Sequence, residues 1–360
     1  MVMQRVGELK TVHVIIAGYE LSVVRPRRRK KPVLGKGIWF TAPEVVEIQQ
    51  EEVLPPGPNQ VTVRSICNLI STGSELHFYR GEANFETRAG TLFGTMPFPV
   101  KFGYQQVGHV ESVGTGSAYS VGDAVFCRYP HQDVFTLDEA QVSRIPDGIE
   151  PERAAFAGLF RIAMNACITT PPVIGDCVAV SGLGVVGAFA AYIARLTASK
   201  LILIDPNPTR RTQSESVGAD AVVHPADARD AINELTDGRG VDVFVEASGA
   251  PRALQVAIDN TAVEGSISVA SWYGDAPVPL VLSPEYHVRR QKLISAGPGW
   301  LDHAHRWTPE RAITVAYEHL SKLDLKSFID YLRVPFENAA EAYRILNDPL
   351  CEPRAVVLTY

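Results

Sequence analysis

Residues 182–187 read Gly182-Leu183-Gly184-Val185-Val186-Gly187; they follow the apolar run Cys177-Val-Ala-Val-Ser181 and open a helix-forming run over 188–196. Glycines at this spacing let a strand turn tightly into a helix, let backbone approach a pyrophosphate, and let the helix pack closely on the strand. Phosphate charge then meets the helix N-terminus. A second apolar run, Leu201-Ile-Leu-Ile204, ends in Asp205, 18 residues beyond Gly187. An acid at that point accepts hydrogen bonds from the adenosine ribose hydroxyls, so strand, turn, helix, strand and acid together specify a dinucleotide site. Asp205 repels a 2′-phosphate and favours NAD, while Arg210 and Arg211 attract one and leave NADP open; a solvated helix turn is the plainer account of both arginines. Glu246 and Ser248 end a later strand at the same edge, where Ser248-Gly249 contacts the cofactor through backbone or only forms a loop. The chain has no GxSxG elbow or paired-carboxylate motif, and His287, His303 and His305 lack the spacing of metal ligands.

These residues need a particular scaffold. From 171 to 299, apolar strand runs at 178–181, 201–204, 221–223, 241–246, 266–271 and 293–296 alternate with helical stretches, the pattern of an α/β doubly wound parallel sheet. Residues 36–170 carry short β-type runs, among them Gln60-Val-Thr-Val-Arg-Ser-Ile66, broken by Gly, Pro, Asn and Asp, and predict a β-rich domain. The tail, 300–360, with helices at 309–320 and 339–346 and a strand at 355–358, is too short for its own core and should rejoin the first domain. A length of 360 residues suits two domains.

Net charge is −6, yet the first 36 residues hold nine Lys/Arg against Glu8 and Glu20, so the body is acidic. An acidic body gives no reason to expect nucleic acid as partner. Residues 1–35, with the run Arg25-Pro-Arg-Arg-Arg-Lys-Lys31, read as a basic, disordered extension. No apolar run approaches the ~20 residues of a membrane span, and Val12–Ala17 is too short for a signal-peptide core. Five scattered cysteines, without CxxC pairs, point to reduced thiols in a cytoplasmic protein.

Across residues 37–360 the chain resembles the medium-chain dehydrogenase/reductase (alcohol dehydrogenase) superfamily. Gly108-His-Val-Glu-Ser-Val-Gly114 through Val121-Gly-Asp-Ala-Val125, Val241-Asp-Val-Phe-Val-Glu-Ala-Ser-Gly249 and Val334-Pro-Phe-Glu-Asn-Ala-Ala-Glu-Ala-Tyr343 carry the match. The resemblance implies a GroES-like catalytic domain beside a Rossmann domain, a small-molecule alcohol or ketone as substrate, and a homodimer. It also implies zinc ligands at three positions, which here hold Thr72 (in Thr72-Gly-Ser-Glu-Leu-His77), Tyr104 (in Gly103-Tyr104-Gln105) and Gly158. A catalytic zinc needs three N, S or carboxylate donors, so no zinc is expected. Ser71-Thr-Gly-Ser-Glu75, Gly103-Tyr-Gln-Gln-Val-Gly108 and Ser271-Trp-Tyr-Gly274 are similar to a zinc-free subgroup that includes 2-desacetyl-2-hydroxyethyl bacteriochlorophyllide a dehydrogenase, which implies secondary-alcohol to ketone chemistry.

By that resemblance Ser74 and His77 keep the relay that passes the alcohol proton to water, an imidazole being suited by its near-neutral pKa. Tyr104 offers a phenol to the reacting oxygen in place of the metal. Each has a plainer alternative: a helix cap for Ser74, a packed or surface histidine for His77, an aromatic packing residue for Tyr104. Glu75 either helps orient the site or, the preferred reading, only favours the helix N-terminus as a first-turn acid. Thr72 lines the pocket, and Trp272, Tyr273 and Trp300 either wall an apolar substrate or belong to the core. Two other functions stay open, an NADPH-dependent enone (C=C) reductase and a dinucleotide-binding protein without catalysis.

Overall fold

In a computed structural model, the structure describes residues 9–16, 19–26, 32–83, 86–87, 90–91, 98–274, 277–297, 306–348 and 353–360, those within 9–26 and 86–91 by backbone alone. Strands Ala221–Val223, Lys200–Ile204, Cys177–Ser181, Val241–Glu246, Thr261–Val269 and Lys292–Ser295 lie side by side in that order, all parallel. Counted along the chain this is 3-2-1-4-5-6, the doubly wound order. The strand order reverses between Cys177–Ser181 and Val241–Glu246, and in doubly wound sheets ligands bind in the crevice outside the carboxyl ends at such a reversal. Helices cover both faces: Val185–Arg195 contributes Ala188, Phe189 and Ala191 to one core, while Leu254, Ala257 and Ile258 close the other.

Residues 60–144 form the β-rich part. Strand Gln60–Leu69 pairs antiparallel with Gln106–Val113, Val134–Asp138 and the last strand, Ala355–Thr359. Val61, Val63, Val110, Val125 and Phe135 fill its interior. The tail joins this sheet, as Ala355–Thr359 also pairs in parallel with Tyr331–Pro335. The segment expected to be a disordered extension differs: strands Leu9–Ile16 and Tyr19–Pro26 pair antiparallel, since Thr11, Val12, Val14, Val23 and Val24 supply β-forming residues. The strand Val33–Ala42 also begins before the expected boundary at 36.

Candidate active site

The glycine turn is built as its spacing requires. Gly182 has φ of +82°, and a Cβ there would lie 2.4 Å from the Cα of Ser248; one on Gly187 would lie 1.6 Å from the carbonyl oxygen of Gly182. Both positions admit only glycine. A Cβ on Gly184 would meet nothing within 4 Å. The second glycine therefore faces open space at the start of helix Val185–Arg195, and the turn fits a dinucleotide: Leu183, Gly184, Val185 and Val186 would hold its pyrophosphate through backbone. Asp205 is 2% exposed. Its Oδ2 accepts from the Leu183 N–H at 2.6 Å and its Oδ1 from the Asn207 N–H at 2.8 Å. It braces the glycine turn, a role that spacing alone does not show.

Of the two arginines beyond Asp205, Arg211 turns its guanidinium to backbone carbonyls, donating to those of Asp205 and Pro206 at 2.8 and 2.9 Å. The Arg210 N–H donates to the Asn207 side chain that caps the helix, and its carbonyl receives Arg354 at 2.5 Å. At the neighbouring strand end, the Ser248 N–H and hydroxyl both donate to Oε1 of fully buried Glu246, whose Oε2 accepts from Tyr273 at 2.6 Å. Tyr273 thus anchors the crevice wall through its hydroxyl, a structural role beyond the core or wall alternatives.

Across the crevice, Tyr104 brings its phenol oxygen to the Ser71 hydroxyl at 2.6 Å and the Ser74 hydroxyl at 3.3 Å. Burial pushes this phenol up to about 12, so it stays protonated and able to donate. Ser74 precedes helix Glu75–Arg80 but makes no side-chain cap bond. Its hydroxyl is spent on Tyr104 instead. His77, one turn on, sits against the other domain: Nε2 is 3.1 Å from the Trp272 carbonyl, Nδ1 is 3.2 Å from Glu82, and the Trp272 ring lies edge-on with centroids 4.8 Å apart. Trp272 also packs with the cluster around Phe78 and Phe102. Thr72 is half-buried beside Ser71, while Trp300 lies outside the described residues.

Behind this group lies a network that the preferred reading of Glu75, a first-turn acid only, misses. Glu75 and His131 are both 0% exposed. One Glu75 oxygen accepts from the Ser71 N–H at 2.8 Å; the other meets His131 Nε2 at 2.9 Å and the Tyr343 hydroxyl at 2.5 Å. Glu75 therefore fixes the backbone of the serine that contacts Tyr104.

The donor set does not suit zinc. Thr72 and Tyr104 present neutral hydroxyls, Gly158 has no side chain, and the place of its Cβ is taken by the Gln105 amide, whose Oε1 and Nε2 lie 2.2 and 2.5 Å from it. Burial also raises the thiols of Cys67 and Cys167 to about 12 and of Cys177 to about 11, with Cys127 higher still, so none is a ready thiolate. Among the described residues no cluster of three His, Cys, Asp or Glu could hold a metal.

A family model described as "Zinc-binding dehydrogenase" matches residues 185–330, a segment that contains none of the three positions 72, 104 and 158. L-threonine 3-dehydrogenase of Pyrococcus furiosus is 28% identical over 267 residues, covering 64% of this chain and 74% of that protein. D-guloside 3-dehydrogenase of Escherichia coli K12 is 27% identical over 337 residues, covering 86% and 95%. The crystal structure of an alcohol dehydrogenase from E. coli CFT073 complexed with NADH superposes with a TM-score of 0.74 at 18% identity, over 91% of this chain and 99% of that one.

Proposed function

The chain belongs to the medium-chain dehydrogenase/reductase superfamily of alcohol dehydrogenase-type oxidoreductases, and from that premise we propose that it interconverts a secondary alcohol and a ketone by hydride transfer with a nicotinamide cofactor and without zinc. The observation that carries this reading is the hydroxyl cluster of Tyr104, Ser71 and Ser74 at the positions where relatives place metal and proton relay. An NADH-bound neighbour of the same fold and the open face at Gly184 support the cofactor. Asp205 favours NAD, and Arg211, tied to two carbonyls, offers little to a 2′-phosphate.

A bound nicotinamide supplies the hydride acceptor or donor. The protein then has one proton and one oxygen to manage. Tyr104 donates a hydrogen bond to the carbonyl oxygen as charge develops on it. Ser74, within reach of that phenol, holds the alcohol proton, and His77, beside Glu82 at the domain junction, exchanges it with water. Thr72 and Trp272 line the substrate side. In the same reading the protein is cytoplasmic and homodimeric, pairing through Lys292–Ser295, one of the two edge strands of its sheet.

The test is transfer of deuterium from labelled NADH and NADPH to paired ketone and enone substrates. Label on the carbinol carbon, with NADH preferred, is the expected result. Label on an enone β-carbon alone, or binding of NADH with no transfer to any carbonyl compound, overturns the reading.

A further inference from the structure

Gln105 is the fully buried residue between Tyr104 and strand Gln106–Val113, held by its backbone carbonyl to the Leu69 N–H at 3.0 Å. Neither its Oε1 nor its Nε2 has a hydrogen-bond partner among the described residues. A buried amide without partners weakens a fold, and an apolar side chain of the same shape would serve packing better. The chain nevertheless makes room for it. Gly158 stands in the first turn of helix Ala157–Thr169, where alanine is the better helix former, yet any Cβ there would strike the Gln105 amide. The adjacent Tyr104 packs against the core to which Ala157 and Leu159 of that helix belong.

We propose that Gln105 is a catalytic residue, its Nε2 donating a hydrogen bond to the oxygen that is oxidised or reduced, alongside the Tyr104 phenol. This rests on the alcohol–ketone reading above. No protein hydrogen bond has to break for the amide to turn toward a bound substrate, and two neutral donors then share the oxygen that a metal would otherwise polarise.

The experiment compares wild type with Gln105→Leu and Gln105→Met in ketone reduction with NADH, and in thermal melting. Removing an unpartnered amide should leave the melting temperature equal or higher, while kcat falls about 10²–10³-fold, as for loss of one oxyanion donor. In the Tyr104→Phe/Gln105→Leu double variant the two losses should combine to less than their product, because both act on one oxygen. A kcat within twofold of wild type, or a lower melting temperature in both single variants, overturns the assignment alone. A wild type that transfers no hydride overturns the parent reading and this assignment with it.

Discussion

Because burial holds the Tyr104 phenol up at about 12, its hydrogen-bonding proton is present at every pH at which the enzyme is expected to work. Tyr104→Phe should lower kcat for ketone reduction by about 10²–10³, the usual scale for one donor to a developing oxyanion. The ratio of wild-type to variant rates should stay flat from about pH 6 to about pH 10, since a raised phenol pKa leaves only the alkaline extreme for ionisation. A rate within twofold, or a ratio that collapses between pH 8 and 9 on the order of tenfold, would contradict this. Ser74 and His77 stand out in the sequence because Thr72-Gly-Ser-Glu-Leu-His77 keeps most of a recognisable motif, and Tyr104 because it replaces a ligand in another, Gly103-Tyr104-Gln105. Glu75 does not: its partners His131 and Tyr343 lie far along the chain, Tyr343 by 268 residues, and nothing near position 75 announces them. Gln105 is missed for a related reason, as the missing Cβ that admits its amide belongs to Gly158 on a different element.

The glycine turn shows how one element carries three separate demands. Gly187→Ala places a methyl on the Gly182 carbonyl and should disrupt the strand–helix junction, lowering the melting temperature sharply and abolishing NADH binding. Gly184→Ala meets only open space, so it should melt like wild type yet bind NADH at least about tenfold more weakly, through the methyl it adds where pyrophosphate approaches. Equal affinity in Gly184→Ala, read by fluorescence titration, would place the cofactor elsewhere. The strand runs between 178 and 246 were legible because buried parallel strands are nearly continuous apolar stretches. Expectation and structure part at 266–271. The observed strand is Thr261–Val269, with Glu264 at φ of +59° interrupting its apolar pattern. Ending at Val269 frees Ser271 to accept from the Gly249 N–H, Trp272 to reach His77, and Tyr273 to reach Glu246.

At the scale of the molecule, the contacts that join the domains include two made by single side chains far apart in the chain. One is His77 on the Trp272 carbonyl. The other is Arg354, 1% exposed, which joins the start of the last strand to the cofactor domain by donating to the Arg210 carbonyl at 2.5 Å and the Ser214 hydroxyl at 2.9 Å, and to the Phe328 carbonyl at 3.1 Å. Arg354→Met removes all three bonds and should cost about 2–3 kcal/mol, on the scale of hydrogen bonds to a charged donor, read as a shift in the urea midpoint; no shift would mean that desolvation cancels them. Strand–helix alternation announces the doubly wound sheet, but no local pattern announces Arg354, because its burial exists only once the domains meet. The paired strands at 9–26 show a limit of charge-based reading: a cationic cluster led to an expectation of disorder, although the β-branched residues beside it favour strands.

On the function proposed above, neutral side chains polarise the reacting oxygen in place of a metal. The direct measurement is metal content set against turnover: the purified protein analysed by mass spectrometry of its elements, then dialysed against a strong chelator and assayed with NADH and its best ketone. Well under one zinc per chain, with kcat unchanged by the chelator, is the predicted result. One zinc per chain, activity lost on stripping and regained on adding zinc back, would contradict it.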